Sequence, residues 1–190
     1  MKKLTTNLVS NFDENLAIVL DYAKKNKISK ILIFTKDGQA AIRAKSKISG
    51  DDISVIAVSF PANEPIYKKN DDGEVIEFTP ETSTFEVREK LASYNIELIL
   101  SSLPFEDIIV PGSRINTNNI IEKSLNLFDN GMSLCVQSVL MTTDAGYTYP
   151  GERVISMIAN SAIDISASNS KFIFHPKKGV KINNIICKKE

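Results

Sequence analysis

The sequence predicts an α/β domain with a mostly parallel sheet, and three observations lead there. Short apolar runs rich in β-branched residues, at 31–35, 53–60, 96–100 and 153–159, alternate with longer stretches whose apolar residues recur at helical spacing. The run at 53–60 is apolar almost without interruption, which marks a strand covered on both faces. A helix's worth of chain separates the first run from the second, too long for a hairpin and suited to a crossover between parallel strands. A chain of 190 residues has the size of one domain and buries roughly 70% of its unfolded surface without staples. No repeat, low-complexity tract or linker divides residues 1–190.

Along the chain, Asp13 precedes an apolar stripe at Leu16, Ala17, Val19, Leu20 and Ala23, which predicts a helix capped by Asp13 and running to about Lys25. The first strand follows at 31–35, then a second helix from Gly38 to about Lys47 and the second strand at 53–60. Prolines 61 and 65 open an excursion over about 61–80, in which 66–69 and 74–78 flank Asn70-Asp71-Asp72-Gly73 as a hairpin, a flap beside the C-terminal edge of the sheet. Ser83 and Glu86 have capping-box spacing and start a third helix that ends near Asn95. After the third strand, 96–100, a long loop containing Arg114 leads to a helical pattern from Thr117 that pauses at Gly131 and continues to Gly146. Gly131 lies inside one kinked helix or between two. The fourth strand at 153–159 runs into a loop at 160–164, and 171–175 and 181–187 are expected as two closing strands, at least one of them antiparallel.

Charge and cysteine usage narrow the partners. Twenty-three basic residues balance twenty-three acidic ones, so no field of one sign exists to hold nucleic acid or an anionic membrane. No apolar run reaches the roughly 18 residues that a bilayer-spanning helix needs, and a cytoplasmic protein is expected. Cys135 and Cys187 have no metal-ligand spacing and read as buried, inert thiols; no metal site is predicted.

The stretch most informative for function is 31–44. A strand ends at Thr35, the chain turns on Asp37-Gly38, and a helix begins. The first turn of a helix carries unpaired N–H groups and the positive pole of the macrodipole, so Thr35, Lys36, Asp37, Gly38 and Gln39 are candidate ligands for an anion such as phosphate. Arg114 offers a guanidinium fork to the same anion, and Gly131-Met132 offers a second helix N-terminus. A small phosphorylated ligand is the expected partner. Catalysis has less to stand on. There is no Gly-x-Ser-x-Gly elbow, and the single histidine, His175, reads as a structural or surface residue. No catalytic residue is assigned.

Several blocks then gain meaning together: Glu14-Asn15; Ile33-Phe34-Thr35 followed by Gly38 and a helix; Phe128-Asp129-Asn130-Gly131-Met132-Ser133-Leu134-Cys135-Val136; Asp144-Ala145-Gly146; Gly151-Glu152 with Val154-Ile155; and Ile185-Ile186-Cys187-Lys188. Through them the chain resembles, over nearly its whole length, the stand-alone relatives of the pyruvate kinase C-terminal α/β domain. The resemblance implies a three-layer α/β/α domain of strand order 3-2-1-4-5. It also implies a ligand at 35–39, where pyruvate kinase holds its sugar-phosphate effector, and flavin mononucleotide (FMN) as the ligand of the stand-alone relatives.

In that order the crevice lies between strands 1 and 4, which adds Asn160, Ser161 and Asp164, after strand 4, to the candidate set. Kinase activity is not expected, because pyruvate kinase performs catalysis on a separate (β/α)₈ barrel that needs about 250 residues. The chain departs from its relatives in having Asp37 where they carry a hydroxyl residue, Ala159-Asn160 and Ala162-Ile163-Asp164 in place of glycine-rich motifs, and no histidine in 101–105. Three readings stay open: a binding domain for FMN or another phosphorylated ligand, a flavin-dependent or phospho-metabolite enzyme, and an oligomerising relative that has lost its ligand.

Overall fold

A computed structural model describes residues 6–48, 50, 52–69, 74–105 and 117–190. In chain order the elements are β1 (Asn7–Val9), α1 (Phe12–Asn26), β2 (Lys30–Phe34), α2 (Gln39–Lys47), β3 (Ser54–Ser59), β4 (Ile66–Lys69), β5 (Val75–Phe78), α3 (Phe85–Ser93), β6 (Glu97–Leu100), α4 (Thr117–Asn126), α5 (Met132–Asp144), β7 (Arg153–Met157), β8 (Ala162–Ser166) and β9 (Lys181–Lys189). Single 3₁₀ turns occur at Glu81–Ser83 and Ser170–Phe172.

Seven strands form one sheet of order β1-β9-β8-β7-β2-β3-β6, and β4 and β5 form a separate antiparallel ribbon. The four strands β6, β3, β2 and β7 run parallel, reproducing the 3-2-1-4 part of the expected order. Beyond β7 the expectation needs correction. The fifth strand is β8, antiparallel to both β7 and β9, and it occupies residues expected to form a loop. Asp164 amid Ser and Asn residues gives 160–166 the composition of a loop, yet Ile163 and Ile165 are buried and the polar side chains find partners inside the fold. Residues 171–175 are not a strand: a 3₁₀ turn there gives way to a reversal in which His175 Nδ1 accepts the N–H groups of Lys177 and Lys178, each at 3.1 Å. That gives His175 a structural task at the surface.

Alternation along the parallel strands separates two cores. Ile31 and Ile33 of β2, Val55 and Ala57 of β3, and Ile155 and Met157 of β7 pack against α1, α2 and Leu91 of α3. Leu32, Phe34, Ile56, Val58 and Val154 pack on the other face against α5, with Ile121 and Leu125 of α4 outside. Each fully buried Ile or Leu contributes about 1.5–3 kcal/mol, so covering both faces makes three layers rather than two. Cys135 and Cys187 lie in these two cores, where burial pushes both thiols up to about 12.

Helix α1 starts one residue before the expected cap. Asn11, not Asp13, is the N-cap, its side chain accepting the Glu14 N–H at 3.0 Å, while the Glu14 carboxylate accepts the Ser10 N–H at 3.0 Å. Asp13 instead joins Arg43 and Lys47 of α2. Helix α3 is capped by Thr84 rather than Ser83. Gly131 falls between α4 and α5, with φ of 109°. Among the described residues no helix is long and apolar enough to cross a membrane.

Candidate functional site

The parallel part of the sheet places the C-terminal ends of β2 and β7 side by side. The chain leaving β2 passes to α2 on one face, and the chain entering β7 arrives from α5 on the other, so a crevice opens between them. It is a hollow of about 600 Å³. Thr35, Lys36, Asp37 and Gln39 supply one wall, Ile158 and Ala159 after β7 another, and the β4–β5 ribbon a third through Ile66, Tyr67 and Phe78. Phe12, Phe34 and Phe60 complete an aromatic interior, with the Phe34 and Phe60 rings edge to face at 4.9 Å. A second hollow of about 380 Å³ adjoins it, shares Phe60, Leu134 and Ile158, and reaches Gly131 at the start of α5.

The leading amides of both helix N-termini at this rim are met by groups of the protein itself. Thr35 Oγ1 accepts the Gly38 N–H at 3.0 Å and donates to Asp37 Oδ1 at 3.1 Å, and the same Asp37 oxygen accepts the Gln39 N–H at 3.0 Å. At α5, Asn126 Oδ1 accepts the N–H groups of Gly131 and Ser133 at 3.2 and 3.1 Å, and the Met132 N–H goes to the Asp129 carbonyl at 3.0 Å. Oxygens of nearby residues therefore sit where a ligand anion would meet these amides. Positive charge at the rim comes instead from side chains. Lys36 Nζ stands 5.4 Å from the Phe78 ring centroid, with no ion-pair partner among the described residues. The Arg43 guanidinium lies 5.6 Å from the Phe12 ring and is also bonded to Asp13.

The remaining candidates are placed as follows. Gly38 is buried in the left-handed conformation that opens α2, φ 74°, with Val87 and Leu91 of α3 packed where a side chain would project. Met132 is wholly in the core. Asn160 and Ser161 belong to the β7–β8 turn, closed by the Ile158 N–H to the Ser161 carbonyl at 2.9 Å, and neither lines the hollow. Ser161 turns inward, its hydroxyl donating to Asp129. Asp164 is fully buried in β8, away from the hollow, and accepts from Arg153, from the Tyr22 hydroxyl at 2.8 Å and from Asn183 at 3.1 Å. Burial opposes its ionisation, but the Arg153, Asn183 and Tyr22 hydrogen bonds outweigh that and hold the carboxyl below its usual range. Arg114 lies outside the described residues.

Sequence reasoning missed Phe12, Ile66, Phe78 and Ile158 as lining residues, and also Asn15. The side-chain amide of Asn15, fully buried in α1, donates to the carbonyls of Ile158, Ala159 and Ser161 at 3.0, 3.3 and 3.3 Å, which fixes the turn that walls the hollow. An asparagine in the first turn of an apolar helix face, two residues from the predicted cap, was the available signal.

A third cavity, of about 340 Å³, lies at the opposite end of the sheet beside the C-terminal residues of α1 and α2. Lys24, Lys27 and Lys47 line it, and Lys47 is paired with Asp13. Among the described residues the ionisable lining of the aromatic hollow is Lys36, Asp37, Arg43 and Tyr67, and Asp37 is engaged in its own turn. That set can hold a planar ring and a negatively charged group; it contains no nucleophile paired with a base. Comparison of the sequence with protein-family models and with curated proteins finds no match.

Proposed function

We propose that this protein binds a small phosphorylated ligand with a planar ring, FMN being the leading candidate, in the aromatic hollow at the ends of β2 and β7. One observation carries the reading: a hollow of about 600 Å³, within the size range of small-molecule sites, is walled by Phe12, Phe34, Phe60, Tyr67 and Phe78, with Lys36 and Arg43 at its rim. Ring faces and edges suit stacking on a flavin, and the cations suit its phosphate. The resemblance to the stand-alone relatives of the pyruvate kinase C-terminal domain points to the same ligand. Since the ionisable lining residues include no nucleophile and base in contact, binding rather than turnover is the function proposed.

Native mass spectrometry of freshly purified protein tests this directly, together with a titration following quenching of FMN fluorescence. The expected result is saturable quenching at micromolar FMN, about 8 kcal/mol of binding free energy. Absence of quenching at about 1 mM, equivalent to about 4 kcal/mol, refutes the proposal.

A further inference from the structure

We propose that the β4–β5 ribbon is a hinged cover that closes over the hollow when a ring occupies it; this rests on the binding reading above. Among the described residues the ribbon shares no strand pairing with the main sheet. Its feet, in contrast, are tied down. On the far side, the Thr82 N–H donates to the Lys36 carbonyl at 3.1 Å, and the Thr82 and Ser59 hydroxyls meet at 2.8 Å. On the near side, the Asn63 N–H donates to Ser83 Oγ at 2.9 Å. Pro61, Pro65 and Pro80 stiffen the chain around these ties. Fixed feet and unpaired strands are the mechanical parts of a hinge.

The strands carry apolar surface that the present position leaves uncovered. Ile66 opposes Phe78, and both line the hollow; Ile76, two residues before Phe78 on the same face, is 44% exposed. Tyr67 and Val75, on the opposite face, are 64% and 63% exposed. A two-stranded ribbon in water is marginally stable by itself, and this one extends apolar residues past the hollow it borders. Rotation about the feet carries Ile76 toward a ring held against Phe34 and Phe60. The ring then exchanges solvent for ribbon on the side the sheet does not cover, and release requires the ribbon to reopen.

Hydrogen exchange of the full chain, with and without saturating FMN, tests the cover. The expected result is about tenfold slower exchange at the amides of 66–69 and 75–78 when FMN is bound, with β1 at the far edge of the sheet unchanged. Ile76→Ser, a change at an exposed position outside the hollow's lining, is expected to weaken FMN binding about threefold, mainly through faster release. FMN binding with unchanged ribbon exchange and unchanged affinity in Ile76→Ser overturns the cover and leaves the binding reading standing. Failure to bind FMN at all overturns the binding reading, and the cover with it.

Discussion

Asp37 closes the turn that opens α2, and replacing it gives the sharpest test of how the hollow handles charge. Its Oδ1 lies 3.0 Å from the Gln39 amide and 3.1 Å from Thr35 Oγ1, where an oxygen of a ligand phosphate would otherwise be received. Asp37→Ser removes a negative charge and leaves a hydroxyl to serve the turn. Two gains add for a phosphorylated ligand. Relief of repulsion between charges about 4 Å apart at the solvent-facing rim is worth about 1 kcal/mol. The exposed end of α2 contributes about 0.3–1 kcal/mol more once its amides are released. The sum, about 1.3–2 kcal/mol, is about a 10- to 30-fold gain in FMN affinity.

Riboflavin has the same ring and no phosphate, so its affinity should stay constant. Fluorescence titrations of both flavins against wild type and Asp37→Ser separate ring from phosphate. Repeating the FMN titration at about 0.05 and about 0.5 M salt checks that the gain is electrostatic, since screening should shrink it. Equal changes for the two flavins, or unchanged FMN affinity in the variant with its fold intact by circular dichroism, refute the reasoning.

Two further predictions concern the frame of the hollow. Asn15→Leu leaves the carbonyls of Ile158, Ala159 and Ser161 without their donor; because the Asn15 Oδ1 is itself buried without a partner, the net cost should be about 2 kcal/mol, read from urea denaturation. At Gly131, with φ of 109°, an added Cβ overlaps Ile158 Cδ1, so Gly131→Ala should cost about 2 kcal/mol from backbone strain and crowding; adding Ile158→Ala should recover the crowding part alone.

The ion pair of Asp164 gives a pH signature. Its carboxyl is held below the ordinary 3.8, so ionised Asp164 stabilises the fold above that value, and the contribution disappears as pH falls through the lowered one. Arg153→Met leaves the buried carboxylate with Tyr22 and Asn183 only. Loss of the Arg153 hydrogen bonds raises the Asp164 pKa relative to wild type, so the variant should lose about 2–3 kcal/mol at pH 7 and show a smaller further loss on acidification than wild type. Denaturation midpoints across pH for both proteins check the difference.

What could be read from the sequence followed how local the determining signal was. Strands β2, β3, β6 and β7 were legible from short runs rich in apolar and β-branched residues, most continuous in β2 and β3, which are covered on both faces. The ribbon was legible from the turn residues between its two runs. Strand β8 was not, since the polar Asp164 inside it is satisfied by Tyr22, 142 residues earlier, and by Asn183 on the neighbouring strand. No local pattern reveals such partners. The hollow was half legible. Its position follows from topology and from the reversal at 35–39, whereas Phe12, Phe78 and Ile158 reach it through packing among elements distant in sequence.

The internal caps change what kind of ligand this frame favours. An exposed helix end contributes about 0.3–1 kcal/mol to an anion, whereas burying about 200 Å² of ring surface is worth about 5 kcal/mol before the costs of association. With Asp37 engaged at the start of α2 and Asn126 at the start of α5, the proposed binding function leaves the aromatic walls to provide most of the affinity and Lys36 and Arg43 to read the tail. Arg43 is shared with Asp13, so Lys36 is the freer of the two cations. Under the proposed function, ring shape is therefore expected to select first and a single ammonium second, the reverse of a phosphate cradle built from backbone amides.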